Sequence, residues 1–227
     1  MYKNFYNYEK KSFFSSFRSK RSILIKQFLL KVYKSKKSIK IVDLGGSEDY
    51  WINIFGIKFL KKINAKITII NIYNYKIKNT EIFDFLKQDA CNSRFDDAFF
   101  DLAFSNSVIE HVGNFKKQIL FANEHLRLAK HYYCQTPNKS FFMDPHTFVP
   151  YFFYLNKNIQ IFLLKNFSLG NYQKAKNDQE AKKIIKETKM LTFKDFKYFF
   201  EEKEIILEKF LFMNKSFIAT NIRKYRN

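Results

Sequence analysis

Cysteine is scarce in this sequence. Only Cys91 and Cys134 occur among 227 residues, without a CxxC pair or a Cys/His spacing typical of a zinc site. This composition excludes a small extracellular domain held together by disulfides and gives no indication of a structural metal. Both thiols are expected to be reduced, which favours a cytoplasmic location.

Long apolar runs are also missing. No stretch of about 18 apolar residues occurs, and the lysine-rich, aromatic N-terminus lacks an apolar segment followed by a small-residue cleavage site. We therefore expect neither a transmembrane segment nor a secretory signal. The hydrophobic fraction of 46%, with 29 Phe and 14 Tyr, is ample for a core. A chain of this length is expected to fold as one compact domain.

Arginine is scarce although the chain is strongly basic, with a formal net charge of +20. Of the 41 basic residues 35 are lysine and six are arginine. Because base and phosphate recognition favours the forked arginine side chain, we interpret the charge as compositional bias. Nucleic acid remains a less favoured alternative partner, as does peripheral contact with an anionic surface.

Helix and strand patterns alternate along the chain. Residues 1–16 show no period, and apolar residues at helical spacing then predict an amphipathic helix at about 18–35. Further patterns predict strands at 38–44, 66–72, 101–105, 131–135, 205–212 and 216–219, and helical stretches at 109–128 and within 157–200. This alternation predicts an α/β fold with a mainly parallel sheet.

Glycine is rare as well, yet two of the five glycines are adjacent. Gly45 and Gly46 follow a predicted strand that carries Asp43 near its end. Such a pair allows a tight bend and lets a ligand approach the backbone, although an ordinary strand-to-helix turn explains it equally well. Asn71 ends the next strand, roughly where nucleoside-binding folds place a ribose-reading side chain.

Four segments carry a more specific pattern: VDLGGS, QDA, FDLAFSNSVIEHV and QTPNKSFFMDPHTFVP. In this order they resemble class I S-adenosylmethionine-dependent methyltransferases over residues 38–155. The resemblance implies a doubly wound, mainly parallel seven-stranded sheet with helices on both faces, a Rossmann-like three-layer sandwich. We expect one methyltransferase domain at 37–227 with an acceptor-side region at about 137–192, and a basic arm and helix at 1–36 packed on it.

The resemblance also implies S-adenosyl-L-methionine as the cofactor. The residues that match the cofactor-binding motifs of the family are Asp43, Gly45, Gly46 and Ser47 at the methionine end, Asn71 at the ribose, Asp89 and Ala90 at the adenine, and Ser105 and Asn106 beneath the sulfonium. Two departures stand out. Ser47 and Asp49 replace later glycines of the family's turn, and Asn71 replaces the usual acidic residue.

The acceptor side is predicted in the loop that holds all three prolines, at residues 137–150. A methyl group on a sulfonium is already activated, so the protein needs to align and desolvate an acceptor, and no metal is required. For a hydroxyl or amine acceptor, the candidate general bases are His146, Asp144 and His111.

The expected function is methyl transfer to a small-molecule or glycan-type acceptor. A nucleic-acid methyltransferase is one alternative, although SNSV stands where amino-group base methylases of this fold carry an N/D-P-P-Y/F tetrad. A non-catalytic binding protein with the same fold is the other alternative.

Overall fold

The structure, a computed structural model, describes residues 15–222. Its strands are β1 (Ile39–Leu44), β2 (Ala65–Asn71), β3 (Phe83–Lys87), β4 (Phe100–Asn106), β5 (Ala129–Pro137), β6 (Ile205–Phe210) and β7 (Met213–Thr220). Its helices are α1 (Ser15–Lys36), α2 (Glu48–Phe55), α3 (Ile57–Lys62), α4 (Phe115–Leu128), α5 (Lys157–Asn166), α6 (Asp178–Glu187) and α7 (Phe193–Phe199), with 3-10 turns at Ile109–His111 and Phe152–Tyr154.

The strands form one seven-stranded sheet in the order β3-β2-β1-β4-β5-β7-β6. Neighbours from β3 to β5 pair in parallel, and β7 is antiparallel to both β5 and β6. The chain winds outward from β1 in one direction and from β4 in the other. Their carboxyl ends therefore form the switch point at which open α/β sheets bind ligands.

Helices cover both faces of the sheet. Alternate side chains of β1 point to opposite faces, as the period of a strand requires: Ile41 packs with α1, α2 and α3, whereas Val42 packs with α4 and α7. The predicted doubly wound, mainly parallel sheet in a three-layer sandwich is confirmed.

The N-terminal helix contributes directly to the core. Leu24, Ile25, Phe28 and Leu29 of α1 are buried with the residues of β1, β2 and β4. The predicted helix at 18–35 is thus confirmed and is longer than expected. Its first turn includes residues 15–16, which the sequence pattern had assigned to an irregular arm, and residues 1–14 lie outside the described range.

Glycines interrupt helical structure at two places. The stretch predicted at 109–128 is a 3-10 turn followed by α4, because Gly113 adopts a φ of 119° and Asn114 then caps α4 by accepting from the Lys117 amide. Gly56, with a φ of 79°, separates α2 from α3. Strand β3 had no sequence prediction of its own, and β6 ends at Phe210, two residues earlier than predicted.

A third, smaller cluster of buried apolar side chains is formed by residues that follow β5 and precede α7 in the chain. Phe152, Leu164, Tyr172 and Ala181 are buried together where α5 and α6 pack against the loop that follows β5. The cluster packs against the proline loop through Val149. No helix within residues 15–222 has the length and apolar content needed to cross a membrane.

Candidate cofactor and acceptor site

The end of β1 buries a carboxylate. Asp43 is 1% exposed, and its Oδ2 accepts a hydrogen bond of 2.8 Å from the indole Nε1 of Trp51. Its Oδ1 is buried without a hydrogen-bond partner among the described residues. Burial raises the pKa of Asp43 to about 7, although the Trp51 hydrogen bond acts in the opposite direction.

The glycine turn packs tightly against its surroundings. A Cβ at Gly45, where φ is +86°, would lie 2.4 Å from Cγ1 of Val108, and a Cβ at Gly46 would lie 1.9 Å from Oδ2 of Asp43. Both glycines are therefore required by contacts within the protein itself. Ser47 occupies the N-cap position of α2, and its side chain makes no capping hydrogen bond.

Hydrogen bonds connect β2 and the loop after it to the glycine turn and the start of α2. The buried Glu48 carboxylate accepts hydrogen bonds from the amides of Lys78 and Asn79. Asn71 donates from Nδ2 to the Gly45 carbonyl over 3.3 Å and accepts from the Tyr73 amide. At the position predicted to bind the ribose, Asn71 thus already links β2 to the glycine turn.

The residues predicted to contact the adenine, Asp89 and Ala90, lie in the loop after β3. Asp89 accepts from the Cys91 amide through Oδ1 and forms an ion pair of 2.6 Å with Lys117 of α4 through Oδ2. Burial acts to raise the pKa of Asp89, but the hydrogen bonds from Lys117 and Cys91 outweigh it and lower that pKa. The neighbouring Ala90 is buried.

The end of β4 meets the N-terminal helix. Ser105 is fully buried, with Oγ 3.4 Å from Sγ of Cys134, so its side chain belongs to the core. Asn106, the last residue of β4, accepts a hydrogen bond of 3.0 Å from Arg21 of α1. The Arg21 guanidinium also lies 3.6 Å from the carboxylate of Glu208.

The three residues predicted as general bases lie together. Asp144 accepts from the amides of His146 and Thr147 through Oδ1, and its Oδ2 lies 3.5 Å from Nδ1 of His146. On the other side of this ring, Nε2 lies 3.1 Å from Nε2 of His111 and 3.9 Å from Oε1 of Glu110.

Charge and burial shift these groups in different directions. Burial raises the pKa of Glu110 to about 7 and, together with the charge of His146, lowers the pKa of His111 to about 3. Burial also acts to lower the pKa of His146. The hydrogen bond that His146 donates to Asp144 and the charges of Asp144 and Glu110 outweigh burial, so the pKa of His146 is raised.

Sequence reasoning missed several members of these groups. Glu110 was not among the predicted site residues, yet its carboxylate is buried beside His146 and accepts from Thr136 of β5. Its position next to His111 in SNSVIEHV was the available signal. For Arg21 and Lys117 the sequence held no signal, because each pairs with a residue far away in the chain.

Comparison with known proteins adds a family match. A model described as a methyltransferase domain matches residues 55–131, which include Asn71, Asp89, Asn106 and the Glu110-His111 pair. No curated protein matches the chain.

Two solved structures are similar to this chain at low identity. An S-adenosylmethionine-dependent methyltransferase from Aquifex aeolicus is 11% identical, with 89% of this chain and 91% of that chain covered and a TM-score of 0.43. Another from Methanosarcina mazei is 13% identical, with 82% and 92% covered and a TM-score of 0.48.

Two observations bear on the family. The family model matches the stretch that runs from the end of α2 to the start of β5. The sheet has seven strands and is mainly parallel, as the resemblance implied. Over residues 55–131 the chain is thus similar to a methyltransferase domain.

Proposed function

We propose that this protein is an S-adenosylmethionine-dependent methyltransferase that acts on a small-molecule or glycan-type acceptor with a hydroxyl or an amine. The observation that carries this proposal is the buried Asp144 and His146 pair on the proline loop, which contacts Glu110 just beyond β4. Support also comes from residues 137–192, whose small apolar cluster packs under this loop. Such a short segment suits a compact acceptor.

We further propose that the cofactor lies along the carboxyl ends of β1, β2 and β4 and the loop after β3. The buried, unpartnered Oδ1 of Asp43 suits a cationic ammonium group, and the Asp89 carboxylate suits an amino donor on a base. The proposed cofactor-binding residues are Asp43, Gly45, Gly46, Ser47, Asn71, Asp89, Ala90, Ser105 and Asn106.

In this reaction the protein has to align the acceptor and remove its proton. S-adenosylmethionine supplies a methyl group that its positive sulfur has already activated. The ring pair of His111 and His146 would take the proton of the acceptor's oxygen or nitrogen as that atom takes the methyl group, and S-adenosylhomocysteine would leave with the electron pair of the broken methyl–sulfur bond. Asp144 and Glu110 stabilise the resulting imidazolium because both carboxylates face the His146 ring.

Calorimetric titration with S-adenosylhomocysteine tests the cofactor site. We expect Asp89→Ala to weaken binding by about tenfold or more, since a hydrogen bond to a charged group contributes roughly 1.5–3 kcal/mol. Lys117→Ala is the matched control, because it breaks the same ion pair but keeps the carboxylate, and it should bind at least as tightly as the wild type. Equal losses in both variants would mean that the ion pair, and not an adenine contact, is responsible.

Release of S-adenosylhomocysteine in the presence of hydroxyl and amine acceptors tests the base. With an accepted substrate, His146→Asn should lower kcat by about a hundredfold or more while the affinity for the cofactor is kept. The control is His131→Asn, because His131 is a half-buried residue of β5 that lies outside the cluster. An unchanged kcat in His146→Asn contradicts the role given to this ring.

Location and domain organisation complete the proposal. A cytoplasmic enzyme is supported by the two cysteines, which are both buried and free. Residues 37–227 would form a single domain that holds both substrates, with residues 1–36 packed on it. The burial of Leu24 and Phe28 against the sheet supports this division.

A further inference from the structure

Three potential metal ligands converge beyond the end of β4. The ligand atoms of Glu110, His111 and His146 all lie within 4.8 Å of one another. The two ring Nε2 atoms are 3.1 Å apart, and His146 Nε2 is 3.9 Å from Oε1 of Glu110. Ligands bound tetrahedrally at about 2.0 Å are separated by roughly 3.3 Å, so a small shift brings all three to one ion.

One of these ligand atoms is without a partner. Oε1 of Glu110 is buried and accepts no hydrogen bond from the described residues, whereas the other oxygen accepts from Thr136 over 3.0 Å. A buried carboxylate oxygen left without a donor or a cation is destabilising. A cation placed between Glu110 and the two rings would satisfy it.

Both histidine rings also have a hydrogen-bond partner outside the cluster of three ligands. Nδ1 of His146 faces the Asp144 carboxylate at 3.5 Å, and the His111 ring has a hydrogen bond with the backbone of Glu187. Partners of this kind orient metal-binding imidazoles, because a proton held at Nδ1 leaves the Nε2 lone pair for the ion. Here the two Nε2 atoms face each other at 3.1 Å, so with both Nδ1 atoms protonated the two lone pairs would be directed at one ion.

The geometry points to a site for a divalent transition-metal ion, with Zn²⁺ as the best match, bound by Glu110, His111 and His146. Two imidazoles and one carboxylate are a common protein ligand set for zinc, with a fourth position open to water or substrate. Glu110 and His146 are buried and His111 is half-buried, so the open position lies on the His111 side. This inference does not rest on the acceptor proposed above. An ion bound here would occupy the Nε2 lone pairs of the proposed base, so metal binding and proton acceptance would be alternative states of the same residues.

Titration of the metal alone tests the inference. The full-length chain, without a histidine tag and after treatment with a chelator, is titrated with ZnCl₂ by calorimetry. We expect one Zn²⁺ per chain, bound at micromolar or lower concentration. Co²⁺ bound at the same site should give the visible absorption of a tetrahedral complex. His111→Asn and His146→Asn should each weaken Zn²⁺ binding by at least about thirtyfold, and His131→Asn should leave it unchanged.

Folding is checked separately. Glu110→Gln keeps the shape of the side chain but loses its charge, and circular dichroism reports whether each variant folds. Thr136→Val, which removes only the hydrogen bond to Glu110, should keep the metal. The inference is overturned if the folded wild type binds no Zn²⁺ at about 100 µM, or if binding persists in both His111→Asn and His146→Asn. In the first case the two rings share a proton in an N–H···N hydrogen bond.

These results are separable from methyl transfer. Zn²⁺ binding is measured without cofactor or acceptor, so a protein that binds no metal can still release S-adenosylhomocysteine. Equally, a protein that binds Zn²⁺ but methylates none of the hydroxyl or amine acceptors would contradict only the proposed acceptor.

Discussion

Asp43 combines full burial with an incomplete set of hydrogen bonds. Trp51 satisfies Oδ2, and Oδ1 has no donor within residues 15–222. A charged carboxylate in such a place is destabilising unless a cation lies next to it. Asp43 therefore lowers the stability of the cofactor-free protein, as is common for residues of binding sites. It is also the residue that we propose to contact the ammonium group of the cofactor.

We expect Asp43→Asn to stabilise the cofactor-free protein increasingly as the pH rises. The pKa of about 7 in the folded chain lies above the usual 3.8, so the wild type loses stability from about pH 4 to about pH 7 as the unfolded chain ionises first. From these values the gain in unfolding free energy should be larger at about pH 8 than at about pH 5, by roughly 2–3 kcal/mol. Urea unfolding at both pH values measures it.

An exposed carboxylate provides the control for this pH effect. Asp96→Asn, in the loop before β4, should change stability equally at both pH values. A gain in Asp43→Asn that is the same at both pH values would mean that the carboxyl is neutral or well solvated throughout. The same variant should bind S-adenosylhomocysteine more weakly, because the amide carries no charge for the ammonium group.

Helix α1 is tied to the sheet by an ion pair near each end. Near its start Arg21 lies against Glu208 and Asn106, where the side chains of both charged partners are about nine-tenths buried, at 11% and 8% exposure. At its end Lys36 pairs with Asp101 at the start of β4, but the lysine side chain is 60% exposed. The same helix therefore offers a buried and an exposed pair for comparison.

Loss of the buried pair should destabilise the protein far more than loss of the exposed one. Arg21→Met leaves Glu208 buried without its cation and should lower the unfolding free energy by about 3 kcal/mol. Lys36→Met should lower it by less than about 1 kcal/mol, since exposed pairs are screened by water. Denaturant unfolding of both variants measures the difference.

A second substitution separates charge from packing. Adding Glu208→Gln to Arg21→Met should restore a large part of the loss, because the uncompensated buried charge is then removed. Equal effects of Arg21→Met and Lys36→Met would show that the Arg21 contacts contribute no more than a surface ion pair.

The elements that could be predicted from the sequence are those with a local signal. Apolar runs such as Ile41-Val42 and the helical spacing of Ile25, Phe28 and Leu29 depend on neighbouring residues alone. Strand β3, with the pattern FDFLK, is short and lies at the sheet edge, so no clear periodicity marks it. A broken helix was mistaken for a continuous one because Gly113 was outweighed by the apolar pattern around it.

The site was predictable only in part, for a similar reason. The motif positions Asp43, Asp89 and Asn106 could be found one by one, but their partners Trp51, Lys117 and Arg21 follow from the folded arrangement. His111 and His146 are in contact although they are 35 positions apart in the chain. Each was predicted as a separate base, and nothing in the spacing indicated that their Nε2 atoms face each other.

Charge is distributed unevenly over the whole molecule. Basic residues outnumber acidic ones twelve to one in residues 1–40 and twenty-one to ten in residues 111–227, whereas residues 41–110 hold eight basic and ten acidic residues. The proposed cofactor-binding residues all fall within the balanced stretch. The excess lysines thus belong to the flanks, where they can attract any polyanion without reading its sequence.

Attraction of this kind predicts weak, sequence-independent and strongly salt-dependent binding to nucleic acid. The affinity for duplex DNA or folded RNA should fall by about tenfold or more between roughly 50 and 200 mM salt, as lysine–phosphate contacts release counterions. Filter binding with two unrelated sequences measures it, and S-adenosylhomocysteine binding over the same salt range serves as the comparison. Affinity that survives at the higher salt for one sequence only, together with transfer of labelled methyl groups to it, would favour the nucleic-acid alternative. The lysine-rich flanks would then be a recognition surface, and the short acceptor-side region would have to admit a base instead of a compact acceptor.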